Sequence, residues 1–299
     1  MSWFYLALLA PFLYAITNFF DDNLLRFVYK SPYLAVTFSG AFGMLPLLSL
    51  LFLPHQTIAP HLLLLTVLAG AITIGYYFFY FKGLESDTPS VVVALLSLAP
   101  VMLPFLAYFL LHERLGTGEI AGFGLVLVAS LALTVLDIKQ FRFSKALLPA
   151  ALAAVGIAVA SLLTKYTYER AAFYPAYMGY SAGMGIGGLL FFGLNYTDNR
   201  ANLRTIRGSI KKLLPIFILA EGINLVAEFT LNLAISRGPV SIVRVMEGMQ
   251  PIYVLLITLA LYPLSPKYFR EAEAGQHLKK FALMAVCIAG LVVVSLSAR

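Results

Sequence analysis

The chain has 299 residues, of which 61% are hydrophobic and 12% are charged, and its mean hydropathy is +0.87. Soluble domains are usually about a quarter charged, and a chain of this length cannot bury so much apolar surface in water. The formal net charge is +7, but most basic residues lie in short connectors between apolar runs, where they set membrane topology. The composition therefore predicts an all-α integral membrane protein and does not indicate nucleic-acid binding.

Ten apolar segments follow one another along the chain, each close to the roughly 20 residues that cross a bilayer. Breaks at charged and turn residues place the predicted spans at 3–20, 33–53, 62–81, 89–111, 118–136, 147–164, 174–194, 213–233, 239–261 and 281–297. The boundaries within 89–136 and 239–297 are the least well marked. The single cysteine, Cys287, lies in the last span, which excludes an intrachain disulfide and a Cys-based zinc or redox site.

The two halves of the chain resemble each other. Residues 32–40 align with 175–183, and Pro100, near the middle of the fourth span, falls beside Pro251 in the ninth. Because each half holds five spans, the second half must be inserted with the opposite orientation, as in transporters with inverted repeats and a midplane site. We therefore predict two inverted five-helix repeats, at residues 1–140 and 141–299. The alternative is that apolar segments resemble each other by chance.

The end of the first half carries a family pattern. A small-residue turn at 83–89, a span with the internal Pro100, and the exit sequence His-Glu-Arg-Leu-Gly at 112–116 resemble the repeat of the EamA-like family, in the drug/metabolite transporter superfamily. The resemblance is weaker in the second half, where Tyr-Pro-Leu-Ser at 262–265 replaces Glu-Arg-Leu. It implies ten helices, alternating access, and a central cavity lined by spans 1, 3, 4, 6, 8 and 9.

The distribution of Lys and Arg predicts the orientation. The connectors after spans 1, 3, 5, 7 and 9 hold 15 of these residues, and the opposite side holds five. The positive-inside rule therefore places those connectors in the cytoplasm and both termini on the non-cytoplasmic side of an inner or plasma membrane. The family resemblance implies cytoplasmic termini instead, and we follow the charge distribution.

The eighth span carries two carboxylates and two amides at helical spacing: Glu221, Asn224, Glu228 and Asn232. They fall within an arc of about 80°, so we expect this stripe to face the bundle, with Leu219 and Val226 on the opposite face. Ionisable residues inside spans mark sites or pathways, and Glu228, deep in its span, is the leading candidate. Because desolvation favours the neutral form of a carboxyl group, Glu228 is also the candidate for proton coupling. For Glu221, exposure in a water-filled vestibule is the alternative.

The remaining candidate binding residues lie in three other spans. In the ninth, Arg244 and Glu247 are one turn apart, and a neutral pair that only locks this span to the eighth is the alternative. The first and third spans contribute Asn18, Tyr76, Tyr77 and Tyr80, although tyrosines are also common interfacial anchors. We expect Asp21, Asp22 and Lys165 to be end charges at membrane surfaces.

These side chains suit an amine-bearing or zwitterionic cargo. Carboxylates and aromatic faces attract a cation, and Arg244 offers bidentate geometry to a carboxylate. We therefore predict a secondary transporter of a small polar metabolite, without cofactor or metal, whose partners are its substrate and the bilayer; monomer and homodimer both remain open. A lipid or drug exporter of the same fold is the alternative, and an intramembrane enzyme would rest on Asp21-Asp22 alone.

The sequence also contains a motif that imitates a serine hydrolase. Residues 179–183 spell Gly-x-Ser-x-Gly, but that chemistry needs a strand-turn-helix elbow and triad partners. Because the motif lies inside an apolar span, we expect Gly179, Gly183 and Gly187 to form a helix face for close packing.

Overall fold

The computed structural model describes residues 2–25, 29–52, 56–86, 92, 95–96, 98–137, 145–261 and 277–297. Within these ranges the chain is helical and contains no strand. The α-helices, in chain order, are α1 Ser2–Leu24, α2 Pro32–Gly43, α3 Pro60–Leu84, α4 Leu98–Leu111, α5 Thr117–Asp137, α6 Leu147–Tyr168, α7 Phe173–Leu194, α8 Tyr196–Arg237, α9 Val240–Val245, α10 Gln250–Leu261 and α11 His277–Ser297. Turns of 3₁₀ helix lie at Leu45–Leu51 and Met246–Met249.

Four helical segments are long and apolar enough to cross a membrane: Pro32–Leu51, Pro60–Leu84, Leu147–Tyr168 and Leu214–Arg237. Shorter apolar segments lie at Trp3–Asn18, Leu98–Leu111, Thr117–Ala129 and Ala282–Ser297. The predicted all-α class is thus confirmed in the part of the chain that the structure describes, and the apolar helices indicate an integral membrane protein. The count of ten spans stays a prediction.

Prolines mark where several helices begin or break. Pro32 begins α2, and the Ser31 side chain caps it by accepting a hydrogen bond from Leu34 N at 3.2 Å. The predicted ninth span is interrupted by the 3₁₀ turn at Met246–Met249. Pro251 explains this break, because proline has no backbone N–H to donate to the carbonyl four residues earlier, that of Glu247. The interruption places the polar side chain of Glu247 in a 3₁₀ turn inside the bundle.

Helix α8 is longer than the predicted eighth span. It runs without a break for 42 residues, although only Leu214–Arg237 is apolar enough to cross a membrane. The connector expected at 195–212 is therefore helical. Charged residues end a membrane span, but Arg and Lys are good helix formers, so the helix continues beyond the apolar segment.

The helices pack closely through small residues. Helix α3 lies against α6 and α7, α1 against α8, α2 against α7, and α5 against α11. A Cβ added at Gly183 would overlap the Val67 carbonyl of α3, and one at Gly187 would press on Ile74. The predicted close-packing face of α7 is confirmed, and the Gly-x-Ser-x-Gly sequence is part of it.

Glu113, the acid of the Glu-Arg-Leu exit sequence, caps a helix of the other half of the chain. Its carboxylate accepts hydrogen bonds from Val240 N at 2.8 Å and Ser241 N at 3.2 Å, which are first-turn donors of α9. The preceding His112 has a φ of 54°, and Glu113 N donates to Ala107 O at 3.1 Å. This left-handed turn ends α4 and directs the Glu113 carboxylate to α9.

The turn between α8 and α9 is held at two further points. Lys165 Nζ donates to Gly238 O at 2.9 Å and lies 3.5 Å from a Glu169 oxygen. The ring of Trp3 packs so closely on Gly238 that a Cβ there would overlap it. Lys165 lies in the last turn of α6, as expected of an end charge, but it is only 9% exposed, because it packs against this turn and does not extend into solvent.

Candidate functional site

The described helices line a partly open cavity of about 150 Å³. Its walls come from α1, α3, α4, α6, α8 and residues 244–250, with Ser39 and Leu127 contributed by α2 and α5. These are mainly the elements that the family resemblance implies. Eight of the ten predicted binding residues line it: Asn18, Tyr76, Tyr77, Tyr80, Glu221, Asn224, Arg244 and Glu247.

The polar stripe of α8 faces the interior, as predicted from its spacing. Glu221 is 5% exposed and Glu228 is 2% exposed, whereas Leu219 and Val226 on the opposite face are about half exposed, at 54% and 52%. Because Leu219 and Val226 are apolar, they suit a lipid-facing surface.

Glu221 is the carboxylate of α8 that lines the cavity. Its Oε1 accepts a hydrogen bond from the Tyr29 hydroxyl at 2.5 Å and lies 3.3 Å from the donating Ser39 hydroxyl. Asn224 lies one turn further along the same face and also lines the cavity. Glu221 thus ties α8 to α2 and to the chain before it, and its side chain is buried at the edge of the cavity.

Arg244 and Glu247 form the ion pair that their spacing predicts. Arg244 Nη1 lies 2.7 Å from Glu247 Oε1, and Arg244 Nε donates to the Ser161 hydroxyl at 2.8 Å. The side chain of Arg244 is 6% exposed and that of Glu247 is 20% exposed. The alternative from the sequence was a neutral pair that only locks the ninth span to the eighth; the bond from Arg244 Nε leads to Ser161 of α6.

Glu228 is surrounded by hydrogen-bond donors and does not line the cavity. Its Oε2 accepts from the hydroxyls of Tyr14 at 2.6 Å and Tyr77 at 2.8 Å. Its Oε1 accepts from the Tyr180 hydroxyl at 2.5 Å and from Asn232 Nδ2 at 3.0 Å. A carboxylate offers about four acceptor positions, so these four donors fill them.

Asn232 belongs to the same buried layer. Its Nδ2 also donates to the Glu228 carbonyl at 2.9 Å, and its Oδ1 accepts from the Tyr168 hydroxyl at 2.8 Å. The Tyr180 hydroxyl lies 2.8 Å from Thr73 Oγ1. Glu228 and Asn232 therefore stand behind the cavity wall, joined to α1, α3, α6 and α7, whereas the other eight predicted residues form the wall itself.

Two groups of predicted residues lie outside the described part of the structure, namely the side chains of Asp21 and Asp22 and the segment 262–265. Among the residues that the structure does describe, no group of three or more His, Cys, Asp or Glu side chains is placed to hold a metal ion.

Membrane transporters commonly hold a cavity with a few polar and charged side chains inside a bundle of apolar helices, and the described helices have this arrangement. Residues 1–135 match the model of the EamA-like transporter family, which belongs to the drug/metabolite transporter superfamily, and this match confirms the resemblance seen in the first half of the sequence. Fifteen chains of solved structures match this chain. One of them, described as "Crystal structure of protein", is 20% identical in sequence and has a TM-score of 0.68. The match covers 100% of this chain and 97% of the other chain. At this identity it shows likeness of fold alone. No curated protein matches the sequence.

Proposed function

We propose that the protein is a secondary-active transporter, not an enzyme, that moves a small amine-bearing or zwitterionic metabolite by alternating access. The observation that carries the proposal is the cavity, whose wall combines Glu221, the Arg244–Glu247 pair and a set of tyrosines. The match to the family model supports transport as the activity. The cavity supports the class of cargo.

The charges in the wall favour a cargo with a cationic group. Among the described lining residues, the ionisable acids and bases are Glu221, Arg244 and Glu247. Arg244 is already paired with Glu247 at 2.7 Å, which leaves Glu221 as a carboxylate hydrogen-bonded to neutral hydroxyls. A cationic group balances that charge, and the carboxylate of a zwitterion has Arg244 as its complement.

The volume favours a small cargo over a lipid. Dry cavities of about 150 Å³ hold molecules the size of benzene, and this cavity is of that size. A lipid or drug exporter of the same fold stays as the second candidate. Stabilisation by lipids or apolar drugs in the experiment below would favour it.

Ten spans in two inverted repeats are part of the proposal, and the packing of corresponding elements supports them. Helix α2 lies on α7 where Gly40 meets Gly188, and α5 lies on α11 where Gly122 meets Gly290. In the proposed repeats, α1 corresponds to α6 and α8 corresponds to α3. The contact of α1 with α8 therefore has a counterpart in the contact of α6 with α3, and both contacts exist. Such exchangeable contacts are expected around a pseudo-two-fold axis, about which the halves would rock.

Proton coupling through a carboxyl group completes the proposal. Glu228 was the candidate from the sequence, and Glu221 is the carboxyl group that lines the cavity. A group that exchanges protons with a passing cargo needs a path to the cavity, and Glu228, which is absent from the described lining, is hydrogen-bonded to the lining residues Tyr14 and Tyr77. We therefore expect Glu221→Gln to abolish proton dependence in proteoliposomes, with Glu228→Gln as the matched comparison.

The cargo class is tested by thermal unfolding of the purified protein with a panel of amino acids, amines, nucleosides and sugars. A ligand at one hundred times its Kd stabilises by about 2.7 kcal/mol, so amines or amino acids should raise the Tm by several degrees. Uptake of the same compounds into proteoliposomes then tests transport. Stabilisation by lipids or apolar drugs, with none from amines or amino acids, would contradict the proposal.

A further inference from the structure

We propose that Tyr14 and Tyr77 form a cation-selective subsite in the cavity wall, and that Glu228 is its buried counter-charge without contacting the cargo. The inference rests on the proposed function and goes beyond it, because it assigns one wall to the cationic group of the cargo. It also makes Glu228 a positioning residue.

The first step is the arrangement of the three side chains. Tyr14 of α1 and Tyr77 of α3 both line the cavity, and both hydroxyls donate to the same oxygen, Glu228 Oε2, at 2.6 and 2.8 Å. Glu228 lies behind them and is 2% exposed. One buried carboxylate thus fixes two tyrosines from different helices side by side.

The second step concerns what those hydroxyls can still do. A tyrosine hydroxyl has a single proton and accepts through its remaining lone pairs. Because Tyr14 and Tyr77 direct their protons at Glu228, their hydroxyls are left as acceptors toward other partners, of which the neighbouring Tyr76 is one for Tyr77, and their aromatic rings stand beside these oxygens. Such a surface accepts N–H donors and attracts cations, and it offers no donor to a carboxylate or a carbonyl.

The third step is the charge behind the tyrosines. Tyr180 and Asn232 fill the other oxygen of Glu228 at 2.5 and 3.0 Å, and four donors are the complement of an ionised carboxylate. The nearest cavity base, Arg244, is paired with Glu247 and does not neutralise it by contact. In an interior of low dielectric constant, a negative charge one hydroxyl away attracts a cation strongly.

The experiment compares three probes of one shape: cyclohexylammonium, cyclohexanecarboxylate and cyclohexanol, with binding to the purified full-length protein measured by calorimetry. We expect wild-type protein to bind the ammonium probe about tenfold or more tightly than the alcohol. Glu228→Gln should weaken the ammonium probe about three- to tenfold, the remaining preference being that of Glu221, and leave the carboxylate probe within about twofold. Arg244→Gln, by contrast, should weaken the carboxylate probe selectively.

Phenylalanine variants separate the wall from the network behind it. Tyr77→Phe and Tyr14→Phe keep the ring and remove the hydroxyl oxygen, so we expect each to weaken the ammonium probe about three- to tenfold. Tyr180→Phe is the matched control: it also removes one donor to Glu228, but Tyr180 does not line the cavity. Its effect should be less than about threefold.

Each outcome decides the inference. Wild-type ammonium affinity in Glu228→Gln, equal loss of both charged probes, or no preference for ammonium in the wild-type protein would overturn it. If Glu228→Gln does not remain monodisperse, the two wall variants and the Tyr180→Phe control give the decision. The predicted binding pattern without uptake of any amine or amino acid into proteoliposomes would refute the proposed function and leave the subsite standing.

Discussion

Replacing Arg244 by glutamine distinguishes a structural ion pair from a substrate-binding one. In the wild-type protein, Arg244 bonds both Glu247 at 2.7 Å and Ser161 at 2.8 Å, and it is 5% exposed. The single variant leaves the carboxylate of Glu247 in the bundle without its guanidinium. The double variant Arg244→Gln/Glu247→Gln removes both charges and retains side chains that can hydrogen-bond.

The magnitude follows from burial. Removing one partner of a buried ion pair costs about 3–5 kcal/mol, and the 20% exposure of the Glu247 side chain places this pair at the lower end. We therefore expect Arg244→Gln to lower the free energy of unfolding by about 3 kcal/mol. The double variant should lose only about 1 kcal/mol, since neither charge is then left unpaired.

The assay is thermal unfolding of both variants in the same detergent, followed by binding of a zwitterionic amino acid. If the pair also holds the cargo, the double variant is stable and fails to bind the amino acid. A double variant as unstable as Arg244→Gln would refute the reasoning about the unpaired carboxylate. A stable double variant with wild-type affinity would show that the pair only joins α9 to α6.

Three further predictions concern the frame of the molecule. Glu113→Gln should lower the free energy of unfolding by about 1 kcal/mol, because the amide replaces a charged cap on α9, whereas the adjacent exposed Arg114→Gln should have no measurable effect in the same unfolding assay. Gly183→Val should lower the free energy of unfolding by about 3 kcal/mol, because the side chain overlaps the α3 backbone. Gly193→Val should be tolerated, because a Cβ there meets nothing within 4 Å. Equal yields and melting temperatures for the two variants would contradict the packing. A fluorescent protein fused to the C-terminus should stay dark in a bacterial host, because the Lys and Arg distribution places this terminus outside; bright cytoplasmic signal would reverse the orientation.

The local pattern of the sequence predicted one wall of the site well. The spacing of Glu221, Asn224, Glu228 and Asn232 follows the helical period, and the structure turns this stripe inward. Arg244 and Glu247 were predictable as a pair for the same reason, because residues three apart on a helix are neighbours. Both inferences needed only geometry within one segment.

The partners of these residues could not be predicted, because they come from distant parts of the chain. Glu228 meets Tyr14 across 214 residues and Tyr77 across 151, and no local period encodes which helices pack together. Tyr14 left one usable signal: it lies one turn before Asn18 on the polar face of α1. Ser161, which accepts a hydrogen bond from Arg244, could not be identified from the sequence, because nothing distinguishes it among the alanines of α6.

Helix limits were harder to predict than membrane spans, for two physical reasons. In α8 the apolar run begins at Leu214, but the helix begins at Tyr196, since charged residues disfavour lipid without disfavouring a helix. In the ninth predicted span, Pro251 carried the signal for the break at Met246–Met249. That break contains Glu247 and follows Arg244 closely, and these are two of the charged side chains in the described cavity wall.

The most direct test of the proposed function is uptake of labelled amines and amino acids into proteoliposomes that contain the purified protein, with and without a proton gradient. The account predicts saturable uptake of at least one amine-bearing compound, lost in Glu221→Gln and Arg244→Gln/Glu247→Gln proteins that still fold. Uptake that is absent for every amine and amino acid, while a lipid or an apolar drug is moved by the same preparation, would contradict it.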